Sequence, residues 1–366
     1  MKALVLKNVN DIDICDVPKP EAGKGELLVK VMAAGICGSD IPRAYKDGAH
    51  NMPLIIGHEF SGVVESTGDG VGQDWAGKHV GVFPLIPCKT CSQCKKKRYE
   101  MCKHYDYLGS RCNGGFAEYV AVPEWNLIEL PNEVKFEEAA MLEPMAVAVH
   151  AMRRAAVMSE ETVMVCGTGT IGMLLTMFLM EKGVKDIYVV CNKDSQKNTL
   201  ISMGISEENI CDSRKESPED YVSRMTDGEG VDVFFECVGS NDTVVTALKV
   251  VTPKGKICYV GNPHSDMLID KNTYWQILRK QLAIVGTWNS SYYGGGFLGE
   301  NEEASTIDLD EDDWQYVIKR LSKESINPGR FITHKYALED IEQGFEIMRD
   351  KTEDYVKIMA IYQDQR

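Results

Sequence analysis

The chain has 366 residues, with 55 acidic against 40 basic side chains and a formal net charge of −15. So acidic a surface repels a nucleic-acid backbone, and no apolar stretch approaches the roughly 20 residues that span a bilayer. Length predicts two domains, and twelve cysteines behind a leaderless Met1-Lys2-Ala3-Leu4 predict a cytoplasmic protein whose clustered thiols hold metal.

Short β-like runs punctuated by glycine open the chain: Ala3–Leu6, Glu26–Val31, Gly62–Glu65 and His79–Phe83. They predict a β-rich, barrel-like domain. After Pro131 the pattern turns helical, at Phe136–Met141 and Ala146–Ala151. From Thr162 strands alternate with helical stretches, the strands being Thr162–Cys166, Ile187–Cys191, Val231–Cys237, Lys256–Val260 and Leu282–Val285. That alternation predicts a parallel, doubly wound α/β sheet. Beyond Trp288 a glycine- and acid-rich stretch runs from Gly294 to Asp313, and the sequence leaves its order open, including that of Glu300–Asp313. Val356–Ile361 reads as a strand able to pack on the first domain and make it discontinuous. The expected partition is 1–150 completed by 289–366, with 151–288 between.

Four cysteines, Cys88, Cys91, Cys94 and Cys102, follow the spacing C-x2-C-x2-C-x7-C. Four thiolates from one short loop close a tetrahedral shell around Zn²⁺ and leave no position for substrate, which predicts a structural zinc. The run Lys95–Arg98 inside the loop reads as a solvated tip.

Gly167-Thr168-Gly169-Thr170-Ile171-Gly172 matches G-x-G-x-x-G, directly after an apolar strand and opening a helix-like run. In that context it predicts a dinucleotide site, with the pyrophosphate on the helix N-terminus. The next strand ends Cys191-Asn192-Lys193-Asp194, where an acid usually accepts from the ribose 2′-OH. A neutral Cys191 followed by Lys193 removes a repulsion against a 2′-phosphate and admits NADP. Service of the ribose by Asn192 or Asp194 would favour NAD instead. Val260 and Gly261 are further candidates for contact with the cofactor.

Cys37, in Gly35-Ile36-Cys37-Gly38-Ser39-Asp40, and His58-Glu59, in Gly57-His58-Glu59-Phe60, add a second donor set together with Glu143 before Pro144. One thiolate, one imidazole and one carboxylate leave a fourth position open, as a catalytic zinc requires.

G-H-E, the four-cysteine loop, L-E-P and the strand–G-x-G-x-x-G unit, in that order, resemble the zinc-dependent medium-chain dehydrogenases from about Lys2 to Ile361. Cys37–Arg43, Lys46–His50, Tyr107–Arg111, Gly114–Tyr119 and Ile277–Gln281 are most similar to the branch acting on galactitol 1-phosphate. The resemblance implies a GroES-like catalytic domain, a Rossmann domain, and homodimers or homotetramers. It also implies oxidation of a secondary hydroxyl of a polyol phosphate, with hydride transfer to NAD or NADP. It makes Cys37, His58 and Glu143 the catalytic zinc ligands, with Glu59 competing for the third place, and Ser39 the proton relay. Some relatives carry a relay histidine where Pro42 stands here. Arg43 and Arg111 become the candidates for substrate phosphate, followed by Lys46, Arg279 and Lys280, and Tyr45 and Trp288 candidates for the pocket wall. The alternatives are a dehydrogenase of an unphosphorylated polyol such as sorbitol or xylitol, one of threonine, or a zinc-stabilised NAD(P)-binding protein without catalysis.

Overall fold

The computed structural model describes residues 1–294 and 311–362, and falls into two units: Met1–Ala146 with Ser290–Arg366, and Val147–Asn289.

The first unit is built on strands β1 (Lys2–Asn8), β2 (Asp11–Asp16), β3 (Glu26–Gly35), β4 (Leu54–Ile55), β5 (Glu59–Thr67), β6 (His79–Val82), β7 (Leu85–Ile86), β8 (Asp106–Tyr107), β9 (Tyr119–Pro123) and β10 (Leu127–Glu129). Its main sheet runs β10-β6-β5-β3 and continues into β18 (Lys357–Ile361) and β17 (Ile332–Tyr336), with β9 also on β3. The tail strand is thus part of this sheet, antiparallel to β3 with Met359 opposite Gly35. Alternation of side chains along β3 sends Leu27, Val29 and Val31 into one core with Phe60, Val80, Val120 and Ile358. Small β1-β2-β4 and β7-β8 sheets flank it.

Register in this sheet places the chemistry. Gly35, the last residue of β3, lies opposite Glu59, the first of β5. Cys37 follows one strand end and His58 precedes the other, so pairing alone brings thiol, imidazole and carboxylate together. A Cβ on Gly35 would stand 2.6 Å from Glu59 Oε2 and 2.7 Å from Lys357 Cε, so only glycine lets those two side chains meet there.

The second unit holds six parallel strands in the order β13-β12-β11-β14-β15-β16. They are β11 (Val163–Cys166), β12 (Ile187–Cys191), β13 (Ile210–Asp212), β14 (Val231–Glu236), β15 (Val251–Tyr259) and β16 (Ala283–Gly286). Helices Thr170–Glu181, Asp194–Met203, Pro218–Met225, Asn241–Val250 and Lys271–Arg279 connect them. This is the doubly wound arrangement expected, with one strand more than the sequence suggested. Ile210–Asp212 is too short for its periodicity to register.

Residues 295–310, which take in all but the last three residues of the Glu300–Asp313 segment, lie outside the described residues. The acids that follow are structural. Asp312 accepts the Gln315 and Tyr293 N–H groups, and Asp313 accepts both the N–H and the hydroxyl of Ser291. Among the described residues no helix is long and apolar enough to cross a membrane.

Candidate active site

Cys37, His58 and Glu59 offer donor atoms that all lie within 4.8 Å of one another. Each is held by a named neighbour. The Ser39 hydroxyl donates to Cys37 Sγ at 3.3 Å. His58 Nδ1 faces Asp40 Oδ1 at 3.4 Å, and Asp40 in turn accepts the Cys37 N–H and ion-pairs with Arg43. Glu59 ion-pairs with Lys357, whose ammonium also donates to the Ile36 carbonyl at 2.9 Å. Both ends of that pair are sealed from water, at 2% and 1% side-chain exposure.

Electrostatics follow from this crowding. Burial alone would raise the Asp40 carboxyl, yet His58, Arg43 and the Cys37 N–H hold it below the usual range. Burial opposes charge on His58, and the negative charge of Asp40 and Cys37 overrides it, leaving the imidazole well above its ordinary value. Glu143 is buried in the first turn of the helix Leu142–Arg154. Burial pushes its carboxyl up to about 7, with Glu59 adding to the rise and His58, Lys357 and the Tyr107 hydroxyl opposing it. Asp40 is ion-paired with Arg43, and Glu59 with Lys357. One thiol, one imidazole and one carboxylate converge, a donor set whose chemistry fits zinc.

Glu143 itself stands outside the converging group. It is reached by Tyr107, whose hydroxyl donates to Oε1 at 3.2 Å and whose ring lies edge-on to His58, with centroids 5.8 Å apart. Tyr107, Asp40 and Lys357 were not singled out by sequence reasoning. Lys357 left one signal, a lone cation in the otherwise apolar strand Lys-Ile-Met-Ala-Ile.

The cysteine loop forms the second convergence. Cys91 Sγ lies 3.5 Å from Cys94 Sγ and 4.0 Å from Cys102 Sγ, and Cys88 Sγ is 4.0 Å from Cys94 Sγ. Sulfurs bound at about 2.3 Å to a tetrahedral ion stand roughly 3.8 Å apart, so these spacings suit one zinc. The Thr90 hydroxyl, together with backbone N–H groups, lowers the Cys88 thiol to about 5, while burial raises Cys94 to about 12. Lys95, Lys96, Lys97 and Arg98 are exposed at the loop tip.

In the second unit the glycine turn joins β11 to the helix Thr170–Glu181. Gly167 has φ +102°, and a Cβ on Gly172 would stand 1.9 Å from the Gly167 carbonyl oxygen. A Cβ on Gly169, by contrast, would meet nothing within 4 Å. Gly167 and Gly172 thus fold the turn, and Gly169 leaves it open toward a ligand. The N-cap Gly169 brings no side chain to the helix N-terminus, which suits a pyrophosphate. Gln196 donates to the Thr168 carbonyl at 3.2 Å and accepts the Asn192 N–H at 3.3 Å, tying the turn to the end of β12. The N–H groups of Val260 and Gly261 both donate to the Glu236 carbonyl. Asp194 is engaged by Arg214 at 2.5 Å, and Arg214 also grips Asp212 through two nitrogens. Arg214 is a further residue that sequence reasoning missed.

The phosphate and pocket-wall candidates fare unequally. Arg43 is turned onto Asp40, whereas Arg111 stacks on the Tyr105 ring at 4.4 Å, and Tyr105 lies 6.3 Å from the Tyr107 ring. Lys46 is exposed on the turn after Arg43. Arg279 stacks on Trp275, and Lys280 donates to the carbonyls of Lys249 and Val251, so both serve the second unit's own structure. Tyr45 lies under Arg349, and Trp288 is 56% exposed.

Two family models match: the alcohol dehydrogenase GroES-like domain over residues 23–132 and the zinc-binding dehydrogenase domain over 170–305. The galactitol 1-phosphate 5-dehydrogenase of Escherichia coli strain K12 is 30% identical over 345 residues, covering 94% of this chain and 95% of its own. This chain belongs to the zinc-dependent medium-chain alcohol dehydrogenase family. The dehydrogenase is also 31% identical to the sorbitol dehydrogenase of Bacillus subtilis strain 168, over 72% of this chain and 75% of that one. The crystal structure of galactitol-1-phosphate dehydrogenase from Escherichia coli superimposes with a TM-score of 0.88 at 29% identity, covering 99% of this dehydrogenase and all of that chain. The GroES-like and Rossmann folds follow from these matches, and so does an oxidoreductase of the alcohol class.

Proposed function

We propose that this dehydrogenase oxidises a secondary hydroxyl of a polyol phosphate of the galactitol 1-phosphate type to the ketone, passing hydride to a nicotinamide dinucleotide. The observation that carries the reading is the convergence of Cys37, His58 and Glu59 beside the Ser39 hydroxyl. A bound zinc there would supply a Lewis acid that lowers the substrate hydroxyl's pKa, and bound NAD(P) would supply the hydride acceptor. Ser39 takes the hydroxyl proton. Asp40 orients His58 through Nδ1, and Lys357 keeps one carboxylate oxygen of Glu59 occupied. The cysteine loop holds the structural zinc. Residues 1–146 with 290–366 form the catalytic domain, and 147–289 the dinucleotide domain.

Arg111 supports the phosphate, since a guanidinium backed by an aromatic ring is well suited to phosphate oxygens. NADP is favoured over NAD because Cys191 is neutral and the acid that could serve a ribose, Asp194, is held by Arg214. The assembly is a homo-oligomer formed through the edge of β16, which no other strand covers among the described residues and where Ala283, Ile284 and Gly286 are exposed. A second reading, an unphosphorylated polyol, draws on the 31% identity to a sorbitol dehydrogenase over 72% of this chain and on the engagement of Arg43 by Asp40.

Steady-state assays of zinc-loaded enzyme with galactitol 1-phosphate and with galactitol, each with NAD and NADP, separate these readings. Turnover confined to the phosphate ester is expected. Equal or better turnover of the free polyol overturns the phosphate assignment, and a tenfold preference for NAD overturns the cofactor assignment.

A further inference from the structure

The site holds one more carboxylate than three-donor metal binding needs. Glu59 belongs to the converging group and Glu143 does not, although Glu143 is buried and joined to the site through Tyr107, whose hydroxyl it accepts and whose ring lies against His58. A mobile Glu143 would compete for the metal. As a fourth protein donor it would close the coordination shell, since a site with four protein ligands has no place for substrate.

Among the described residues, the Glu143 carboxyl takes its hydrogen bond from Tyr107. Tyr107 sits on β8, and its pairing with Leu85 of β7 fixes where the ring emerges. The ring then packs edge-on against both His58 and Tyr105, which restricts its swing. Its hydroxyl therefore reaches Glu143 from a constrained position.

We propose that Tyr107 is a positioning residue that holds the Glu143 carboxylate out of the metal's donor set and so keeps the Cys37–His58–Glu59 site open to a substrate oxygen. This rests on the reading of those three residues as a metal site. Without the Tyr107 hydroxyl, Glu143 is released to ligate, metal is held more tightly, and substrate must displace a carboxylate.

Cobalt(II) in place of zinc gives a readout independent of turnover, because its visible bands report donor number and geometry. The cysteine loop contributes the same background in every variant. Tyr107→Phe is expected to shift the cobalt bands, to raise metal affinity by about 10- to 100-fold, the range by which residues behind metal ligands act, and to raise KM for the polyol. In Tyr107→Phe/Glu143→Gln the bands should return to those of Glu143→Gln alone. Glu143→Gln on its own should leave the parent spectrum unchanged, and this holds the proposal open to test even if Tyr107→Phe does not fold. A parent-like spectrum and affinity in Tyr107→Phe, a shift that persists in the double variant, or a changed spectrum in Glu143→Gln each overturns it. If Cys37→Ser takes up as much cobalt as the parent, with the same spectrum, the metal reading itself fails and the proposal falls with it. That result is distinguishable because it appears without any Tyr107 substitution.

Discussion

At the scale of single residues, the buried Lys357–Glu59 pair is the sharpest test of how the site is held. Each partner is sealed from water, so removing one strands the other's charge. Breaking such a pair typically costs about 3–5 kcal/mol, whereas replacing both partners can be nearly neutral. Lys357→Met should therefore lose several kcal/mol in urea denaturation, and Lys357→Met/Glu59→Gln should recover most of it. An unchanged denaturation midpoint in the single variant would mean that Glu59 is stabilised from elsewhere. The pair also marks what the sequence could and could not disclose. Cys37, His58 and the four cysteines were legible from their motifs, whereas the choice of carboxylate was not: the resemblance puts Glu143 first and Glu59 second, and it is Glu59 that converges with Cys37 and His58. Lys357 and Tyr107 were not legible, because their roles depend on strand register: β18 against β3 for the lysine, β8 against β7 for the tyrosine. Arg43 shows the converse. Its place in the stretch Cys37–Arg43, similar to the galactitol 1-phosphate branch, made it a candidate for phosphate, yet the turn that carries it folds it onto Asp40.

At the scale of elements, the glycine turn separates folding from binding within six residues. Gly172→Ala would drive a methyl into the Gly167 carbonyl oxygen, so the strand–helix junction must open and stability should fall. Gly169 has φ −73° and open space beyond it, so Gly169→Ala should fold normally while weakening the cofactor, because the new methyl stands where backbone would approach the pyrophosphate. Thermal melts beside the KM for NAD(P) resolve the two. A Gly169→Ala enzyme with unaltered cofactor KM would remove the turn from the binding site. The edge of the same sheet carries a second expectation. An apolar edge strand with no strand beyond it among the described residues invites a partner. Ile284→Lys should therefore give a monomer by size exclusion with light scattering. A wild-type mass in that variant would place the interface elsewhere. The sheet itself was readable from the alternation of apolar strands with helical runs, except for β13, whose three residues are too few to show a period.

At the scale of the whole molecule, the two ligand chemistries fall in different units. Every donor of both metal sets lies within Met1–Ala146, while the glycine turn and the end of β12 lie within Val147–Asn289. Each unit has a hydrophobic cluster of its own, one around Phe60 and Ile358 and the other around Phe234 and Ile257. A ligand that binds only the folded form of a unit stabilises that unit, by about 2.7 kcal/mol at a hundredfold excess over Kd. Calorimetry should then resolve two transitions that respond independently. A thiol-competent chelator should lower the one belonging to the metal-bearing unit, because a structural zinc contributes its binding energy to folding. NADP should raise the other. If both ligands move a single transition together, the units unfold as one, and a metal bound by the cysteine loop would stabilise the dinucleotide fold as well as its own.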